Sequence, residues 1–365
     1  MILYAYFARR FLKSFLGVFG IFLGIVLMIE VVEQINSFDS DRVGFAEIME
    51  LSLLHLPSIM YPIIPLIIIL ATLVLFLGLA RSSELVITRA SGRSGMKSLI
   101  APVVVAFALG MFAVAVLNPI VAATSKQYET TVSRYASGKE SVLSISQEGL
   151  WLRQGSAEGQ TVISAVGSNL DGTKLVDVSF FSFTSSGTPL ARIEATSAEL
   201  TKGAWVLKEA KKWRILSSAN PERDAVEYDT LRIESDLTRE QIRDSFGSPD
   251  SIPIWDLPAF IDRLDRAGFS ARQHRVWLQT ELALPLLLVA MVLIGAGFTM
   301  RHTRFGGTGT MVIGALMMGF TLFFVRNFAQ VLGENGQLPV FVAAWSPPLA
   351  AICLALALIL HLEDG

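Results

Sequence analysis

Arg81–Lys97 reads RSSELVITRASGRSGMK, a short polar segment with four basic residues and one acid between two long apolar runs. The positive-inside rule places such a loop in the cytoplasm. Ser82 or Ser83 is a candidate N-cap for a helix in this loop. Glu84 falls in its first turn, where the helix dipole favours an acid, and Gly92 is a candidate stop. The segment predicts a short helix that needs a packing partner, since it is unstable alone; an ordinary solvated loop is the alternative.

The composition indicates a membrane protein. Of the 365 residues, 52% are hydrophobic and 17% charged, the formal net charge is −2, and the mean hydropathy is +0.53. A soluble domain of this size carries more charge, and a chain this close to neutral lacks the basic patch of a nucleic-acid-binding protein. Cys353 is the single cysteine, so neither a disulfide framework nor a Cys-based metal site is expected.

Six apolar runs are close to the length that crosses a bilayer. They lie at about 12–35, 55–80, 98–121, 277–300, 306–332 and 338–361. Basic residues concentrate before the first run, between the second and third, and between the fourth and fifth, which predicts that both termini are cytoplasmic. The polar insert between the third and fourth runs would then face outward.

The insert changes from helical to strand periodicity. Short runs rich in β-branched and aromatic residues are separated by turn signals, which predicts about eight strands in a sandwich or jelly roll. These runs are Ser141–Ile145, Leu150–Arg153, Thr161–Ala165, Leu175–Phe183, Arg192–Ala198, Trp205–Lys208, Lys212–Leu216 and Tyr228–Glu234. A helix is predicted from an Asp256 N-cap to Ala267.

The predicted fold is therefore an α-helical polytopic membrane protein with three helices on each side of an all-β, jelly-roll-like domain. Its predicted parts are residues 1–121 with a loop at 81–97, residues 122–275, and residues 276–365. Within Leu175–Phe183, strict alternation would place Leu175 on the face opposite Val178 and Phe180.

The sequence predicts no catalytic residue, metal ligand or cofactor site. Gly138-Lys139-Glu140-Ser141 lacks the loop and hydroxyl of a P-loop, and the four histidines lack metal-binding spacing. Two charges fall inside apolar runs, Glu30 and Arg326. Such residues are functional candidates because burying a charge in lipid is costly. Snorkelling to the outer interface and pairing with each other are the alternatives.

Gly17, Gly20 and Gly24 mark one side of the first run, and the last two form a GxxxG. Small residues let helix backbones approach closely in lipid. This side is a candidate packing surface for a partner helix.

Several stretches resemble the lipopolysaccharide-export permeases of the LptF/LptG family along the whole chain. The loop SELVITRASGRS is similar to that family's ATPase-docking loop, and the stretches around Leu257–Gly268 and Glu281–Leu286 are similar to the start of its fourth helix. Glu148-Gly149-Leu150-Trp151 resembles the first strand of its outer β-domain and fits the G-type better than the F-type.

The resemblance implies a half-transporter in the bacterial inner membrane. A G-type and an F-type permease would pair over a cytoplasmic LptB-type ATPase dimer and take lipopolysaccharide from the outer leaflet. The lipid would pass to a periplasmic β-jelly-roll bridge begun by a single-span LptC-type subunit, whose helix would pack on Gly17, Gly20 and Gly24. The ATPase-coupling residues would be Ser83, Glu84, Leu85, Arg89 and Gly92.

The chain departs from the family pattern at the outer rim of the lipid cavity. Glu30 and Glu281 occupy positions where the family often has basic residues. Other basic residues near the outer boundary would compensate, since Arg binds phosphate bidentately. The lipid-contact candidates are Glu30, Lys126, Arg134, Arg272, Arg275 and Arg326.

Three other functions remain open at this stage. An F-type identity is compatible with the same topology. An ion-coupled secondary transporter would need several polar residues at the midplane, and a membrane anchor displaying a β-domain would need neither six spans nor a capped cytoplasmic helix.

Overall fold

A computed structural model places most of the chain in helices and one β-sheet. It describes residues 2–37, 44–84, 87–88, 95–136, 143–146, 149–156, 159–168, 173–184, 187–201, 203–216, 220–235, 237, 249–266, 270–299 and 308–364. The chain divides into two compact units. One contains Met1–Ala136, Asp250–Trp255 and Arg272–Gly365, and the other contains Ser137–Pro249 and Asp256–Ala271.

The first unit is a helical bundle. Before the insert, its helices are α1 (Ile2–Ser37), α2 (Phe45–Arg81), α3 (Gly95–Phe112), a π-helical turn (Ala113–Leu117) and α4 (Asn118–Ala136). After the insert they are α6 (Arg272–Leu282), α7 (Leu284–Thr299), α8 (Thr308–Glu334) and α9 (Val340–Asp364). The bundle continues to Ala136, so the predicted boundary at 121 lies inside it.

The six predicted membrane segments are confirmed as apolar helices. Within the described residues, five helices are long and apolar enough to cross a membrane, and the pair α6–α7, bent by 48°, makes a sixth if it is one span. Pro285 explains the bend, because proline has no N–H to bond the carbonyl four residues earlier, that of Glu281.

The core of the bundle lies between α2 and α7. Ile67, Ile68 and Leu75 of α2 and Leu288 and Met291 of α7 are among its buried side chains. Removing this apolar surface from lipid gains little, so close packing holds the helices together. By contrast, only 11% of the apolar segment of α1 is buried in the bundle.

One close backbone approach fixes α3 against α7. A Cβ atom at Gly110 would lie 2.5 Å from the Cα of Pro285, closer than real Cβ atoms come to a backbone. Only glycine therefore fits between the two helices at this point.

The second unit confirms an inserted antiparallel all-β domain. Seven strands pair in simple sequence order, so the described strands form one hydrogen-bonded sheet with a meander topology. The strands are β1 (Leu143–Ser146), β2 (Gly149–Ser156), β3 (Gly159–Ser168), β4 (Lys174–Thr184), β5 (Pro189–Thr201), β6 (Ala204–Arg214) and β7 (Val226–Glu234). The prediction of separate strands at Trp205–Lys208 and Lys212–Leu216 is wrong, because the first run and residues 212–214 of the second belong to the single strand β6. The charged Lys208–Lys212 segment interrupts the sequence pattern but not the strand.

The alternation predicted for β4 is also wrong. Asp177 has a φ of 49°, and the ladder pairs Val176 with Ser197 and Val178 with Ala195, passing over Asp177. The ladder skips one residue on each strand, so the register is kept, but the left-handed backbone at Asp177 shifts the alternation of buried side chains by one residue. As a result, Leu175 is buried together with Val178 and Phe180.

The predicted helix after the sheet is confirmed as α5 (Leu257–Arg266). The carbonyl of Asp256 accepts the N–H of Phe260 at 3.0 Å, as expected of an N-cap residue. Leu257, Ile261 and Leu264 are its buried side chains.

Candidate functional site

The end of α2 turns sharply into a second helical turn. The backbone N–H of Ser82 bonds the carbonyl of Gly78 at 3.1 Å, and Ser83 follows with a φ of 56°. A left-handed residue at this position is a common helix ending. The chain then turns helical again, because the N–H of Ile87 donates to the carbonyl of Ser83 at 3.2 Å. Ser82 therefore caps the end of α2 and not the start of the next turn.

Glu84 lies at the centre of a polar cluster that joins this turn to α1. Arg10 Nη1 donates to both carboxylate oxygens, at 2.6 and 2.7 Å, and the Tyr6 hydroxyl donates to Oε2 at 2.8 Å. The Ser82 hydroxyl donates to Oε1 at 2.7 Å. The hydrogen bond from Arg10 is the main reason that the pKa of Glu84 lies below its usual range. The carboxylate is therefore held in its charged form.

The cluster remains accessible to solvent. The side chains of Arg10 and Glu84 are 32% and 31% exposed, and Ile87 is 66% exposed. A charged carboxylate beside an exposed apolar side chain is a suitable combination for contact with another protein. Three predicted coupling residues, Leu85, Arg89 and Gly92, lie outside the described residues.

The sequence pattern missed the contribution of α1 to this cluster. In the sequence, the positive charges of Arg9, Arg10 and Lys13 predict only that this end of α1 is cytoplasmic. Tyr6 and Arg10 are one helical turn apart, and Arg10 Nη1 donates to the Tyr6 hydroxyl at 2.5 Å. The spacing of four residues predicts a contact between Tyr6 and Arg10. It does not predict that both side chains bind Glu84.

Gly17, Gly20 and Gly24 lie on an unpacked side of α1. In the described part of the chain, no atom lies within 4 Å of a Cβ added at any of the three. Leu16, at 57%, and Ile21, at 63%, are exposed next to them. This side of α1 is thus open to a helix from another chain.

A second polar cluster fastens the other end of α1. Glu30 is buried, and its Oε1 lies 2.7 Å from His55 Nδ1 of α2 and accepts a 2.7 Å hydrogen bond from Gln34. Gln34 also donates to the hydroxyl of Tyr128 on α4, whose ring stacks on His55. Glu30 is therefore engaged within the chain by His55 and Gln34.

Arg326 and Glu281 both line a cavity of about 310 Å³. Glu281 is 1% exposed and accepts hydrogen bonds from Tyr61 and from Asn118, the latter at 3.3 Å. Arg326 is partly buried and interacts electrostatically with Glu281. The Glu30–Arg326 pair that their opposite charges would allow is not found among the described residues, where Glu30 meets His55 and Gln34 instead. The cavity is also lined by Trp277, Asn327 and Gln330.

Four lipid-contact candidates remain, and the structure describes the side chains of three of them. Arg272 donates to the carbonyls of Gly333 at 2.6 Å and Leu338 at 2.5 Å, so its guanidinium fastens the connection between α8 and α9. Lys126 and Arg275 are exposed. The backbone of Arg134 lies in α4, and its side chain lies outside the described residues.

Three apolar helical segments on each side of an inserted antiparallel sheet, with a capped polar turn after α2, define a polytopic membrane protein of the permease type. The family model described as "Lipopolysaccharide export system permease LptF/LptG" matches residues 5–361. The chain therefore belongs to the LptF/LptG family of lipopolysaccharide export permeases. It is 23% identical over 354 residues to the lipopolysaccharide export system permease protein LptG of Haemophilus influenzae, covering 96% of this chain and 95% of that protein.

Proposed function

We propose that this chain is the G-type permease subunit of an ABC transporter that extracts lipopolysaccharide from the inner membrane. A separate cytoplasmic LptB-type ATPase dimer supplies the energy, an F-type permease completes the membrane part, and a single-span LptC-type protein starts the periplasmic bridge. The match to the family over residues 5–361 carries this proposal, and the similarity to an LptG protein favours the G-type over the F-type.

Hydrophobic energetics favour an apolar route for the lipid. Burying a methylene group is worth about 0.8 kcal/mol, so exposing an anchor of roughly 50 methylenes to water costs on the order of 40 kcal/mol. One nucleotide cycle cannot supply so much. The acyl chains therefore travel along apolar surfaces, and ATP-driven closure of the permease pair moves the lipid toward the β-domain.

The turn at Glu84 is the proposed contact with the ATPase. Both termini and this turn are cytoplasmic in the proposal, and the sheet is periplasmic. Glu84 supplies a charged group and Ile87 an exposed apolar one on the same turn. Ser83, Leu85, Arg89 and Gly92 complete the proposed docking segment.

The lipid phosphates are proposed to contact Arg275, Lys126, Arg134 and Arg326. Arg326 has room for a ligand because it lines the 310 Å³ cavity. Arg272 and Glu30 are weaker candidates, since their polar atoms are already hydrogen-bonded within the chain.

The glycine side of α1 is proposed to receive the helix of the LptC-type partner. Gly20→Leu with Gly24→Leu should reduce recovery of that partner, because the added side chains would keep the helices apart. The thermal stability of the isolated chain should not change, as both positions are open. Gly110→Ala is the contrasting variant and should lower thermal stability. Unchanged recovery of the partner in the double variant would place its helix elsewhere.

Affinity purification of the tagged chain from native membranes tests the proposal, with a Glu84→Ala sample in parallel. Stoichiometric partners are identified by mass spectrometry. The expected set is an ATPase, a second six-span permease and a single-span β-domain protein, with the ATPase lost or uncoupled in Glu84→Ala. A chain recovered alone, and indifferent to Glu84→Ala, would indicate a membrane anchor instead.

A further inference from the structure

The Glu84 turn is bonded directly to α1. Two of the side chains that donate to the Glu84 carboxylate, Tyr6 and Arg10, belong to α1, and the third, Ser82, belongs to the turn itself. A carboxylate has about four lone-pair sites. The described contacts fill them, so the turn and α1 share a saturated set of hydrogen bonds.

We propose that Arg10 and Tyr6 are positioning residues that transmit movement of the Glu84 turn to α1. This inference rests on the proposed coupling function. A nucleotide-driven shift of the turn then moves α1 together with α2, so that both helices respond to the ATPase.

Near its N-terminal end, α1 otherwise packs on the bundle through apolar side chains. Phe7, Phe11 and Phe15 are its buried apolar side chains near this end, spaced one helical turn apart. Apolar packing of this kind lacks direction, and one ridge of aromatic side chains can slide over another surface. The two bonds from Arg10, in contrast, fix the position of α1 along the turn, because charge-assisted hydrogen bonds demand defined geometry.

The surface of α2 leaves room for the arginine. A Cβ atom at Gly78 would lie 3.8 Å from Arg10 Nη2, so the guanidinium crosses α2 where a side chain is missing. A large residue at Gly78 would displace Arg10 from Glu84. The contact between α1 and the Glu84 turn therefore depends on Arg10 of α1 and on the missing side chain at Gly78 of α2.

Docking of the ATPase and transmission of its movement depend on different residues. Glu84 belongs to the turn and takes part in both, whereas Arg10 and Tyr6 take part only in transmission. Removing Arg10 leaves the Glu84 carboxylate on the turn, with the hydroxyls of Ser82 and Tyr6 as its donors. Capture of the ATPase should therefore persist when lipid release per ATP falls.

The test uses the full transporter complex reconstituted in vesicles with lipopolysaccharide. Arg10→Gln removes the ion pair and keeps a polar side chain, and Tyr6→Phe removes one hydroxyl only. Arg9→Gln is the matched control, because Arg9 is exposed and its loss changes the net charge equally. Three quantities are measured: ATPase bound per permease, ATP hydrolysed, and lipopolysaccharide released per ATP.

Arg10→Gln should lower lipopolysaccharide released per ATP by roughly two- to five-fold, the size expected for a partly exposed charge pair. Tyr6→Phe should have a smaller effect in the same direction, and Arg10→Lys should restore most of the loss. ATPase binding should match that of Arg9→Gln throughout.

Equal release per ATP in Arg10→Gln and Arg9→Gln would overturn the inference. So would a loss of bound ATPase in Arg10→Gln as large as in Glu84→Ala, because Arg10 would then act on docking. If Arg10→Gln fails to assemble, Tyr6→Phe decides between the same outcomes. Failure of the wild-type complex to bind an ATPase would instead contradict the proposed function itself.

Discussion

Two carboxylates fasten the opposite ends of α1, and they differ in exposure. Glu84 joins Arg10 near the N-terminal end and is 31% exposed, whereas the Glu30 side chain, which meets His55, is 3% exposed. Arg10 and Glu30 are about 30 Å apart along the helix at 1.5 Å per residue. One contact is within reach of another protein, and the other is enclosed by the chain.

The difference in exposure predicts a difference in role. A partly exposed ion pair contributes about 0–1 kcal/mol to stability, while a buried polar group that loses its partner costs about 1–3 kcal/mol. Glu30 is therefore expected to matter for the stability of the bundle, and Glu84 for what binds to it.

The largest effect is expected at the most deeply buried carboxylate. Glu281→Ala leaves Arg326 without its opposite charge and Tyr61 without its acceptor, which should destabilise the bundle by about 3–5 kcal/mol. Thermal unfolding in detergent measures this change. Glu281→Gln keeps an acceptor for Tyr61 and should lose less. If Glu281→Ala were as stable as Glu84→Ala, burial of a carboxylate would not determine its contribution to the stability of the bundle.

A smaller loss is expected at the other buried carboxylate. Glu30→Ala removes the carboxylate partner of His55 and one of the two acceptors of the buried Gln34, and should cost about 1–3 kcal/mol. The same thermal unfolding experiment applies, with Glu33→Ala, the exposed acid one turn away, as the control. Equal melting temperatures for the two variants would show that Glu30 does not fasten α1.

The exposed carboxylate should contribute least to stability. Glu84→Ala removes a pair that is about one-third exposed and should cost at most about 1 kcal/mol. The cost should shrink further at high salt, since salt screens exposed charges. A loss comparable to that of Glu30→Ala would contradict the assignment of Glu84 to an external contact.

The smallest effect is a pH dependence at Glu84. Because the folded-state pKa of Glu84 is lowered, its contribution to stability is present above the ordinary carboxyl value of 4.5 and is lost as pH falls through the lowered pKa. The difference in melting temperature between wild type and Glu84→Gln should therefore be constant between about pH 6 and 8 and disappear in stronger acid. A difference that already fades near neutral pH would exclude this linkage.

The sequence predicted the elements that depend on local pattern. Apolar runs of bilayer length identified the helices, and the Asp256 cap identified α5. The left-handed residue at Asp177 and the continuous strand β6 were missed, because a positive φ inside a strand leaves no periodic signal in the sequence.

Contacts between distant segments could not be predicted. Arg10 and Glu84 are 74 positions apart, and Glu281 and Tyr61 are 220 apart. Their pairing depends on how the helices pack, which the sequence of one chain does not encode in any local spacing. Glu84 was predicted as a site residue by resemblance, but its partner in α1 was visible only in the structure.

Comparing Glu84→Ala with Glu30→Ala in one reconstituted complex tests the account most directly. Melting temperature and ATP-driven lipopolysaccharide release are measured for both variants. The expected result is that Glu84→Ala loses at most about 1 kcal/mol of stability and loses release, while Glu30→Ala melts clearly earlier and releases lipid as long as it stays folded. ATP-driven release at the wild-type rate by Glu84→Ala would contradict the account.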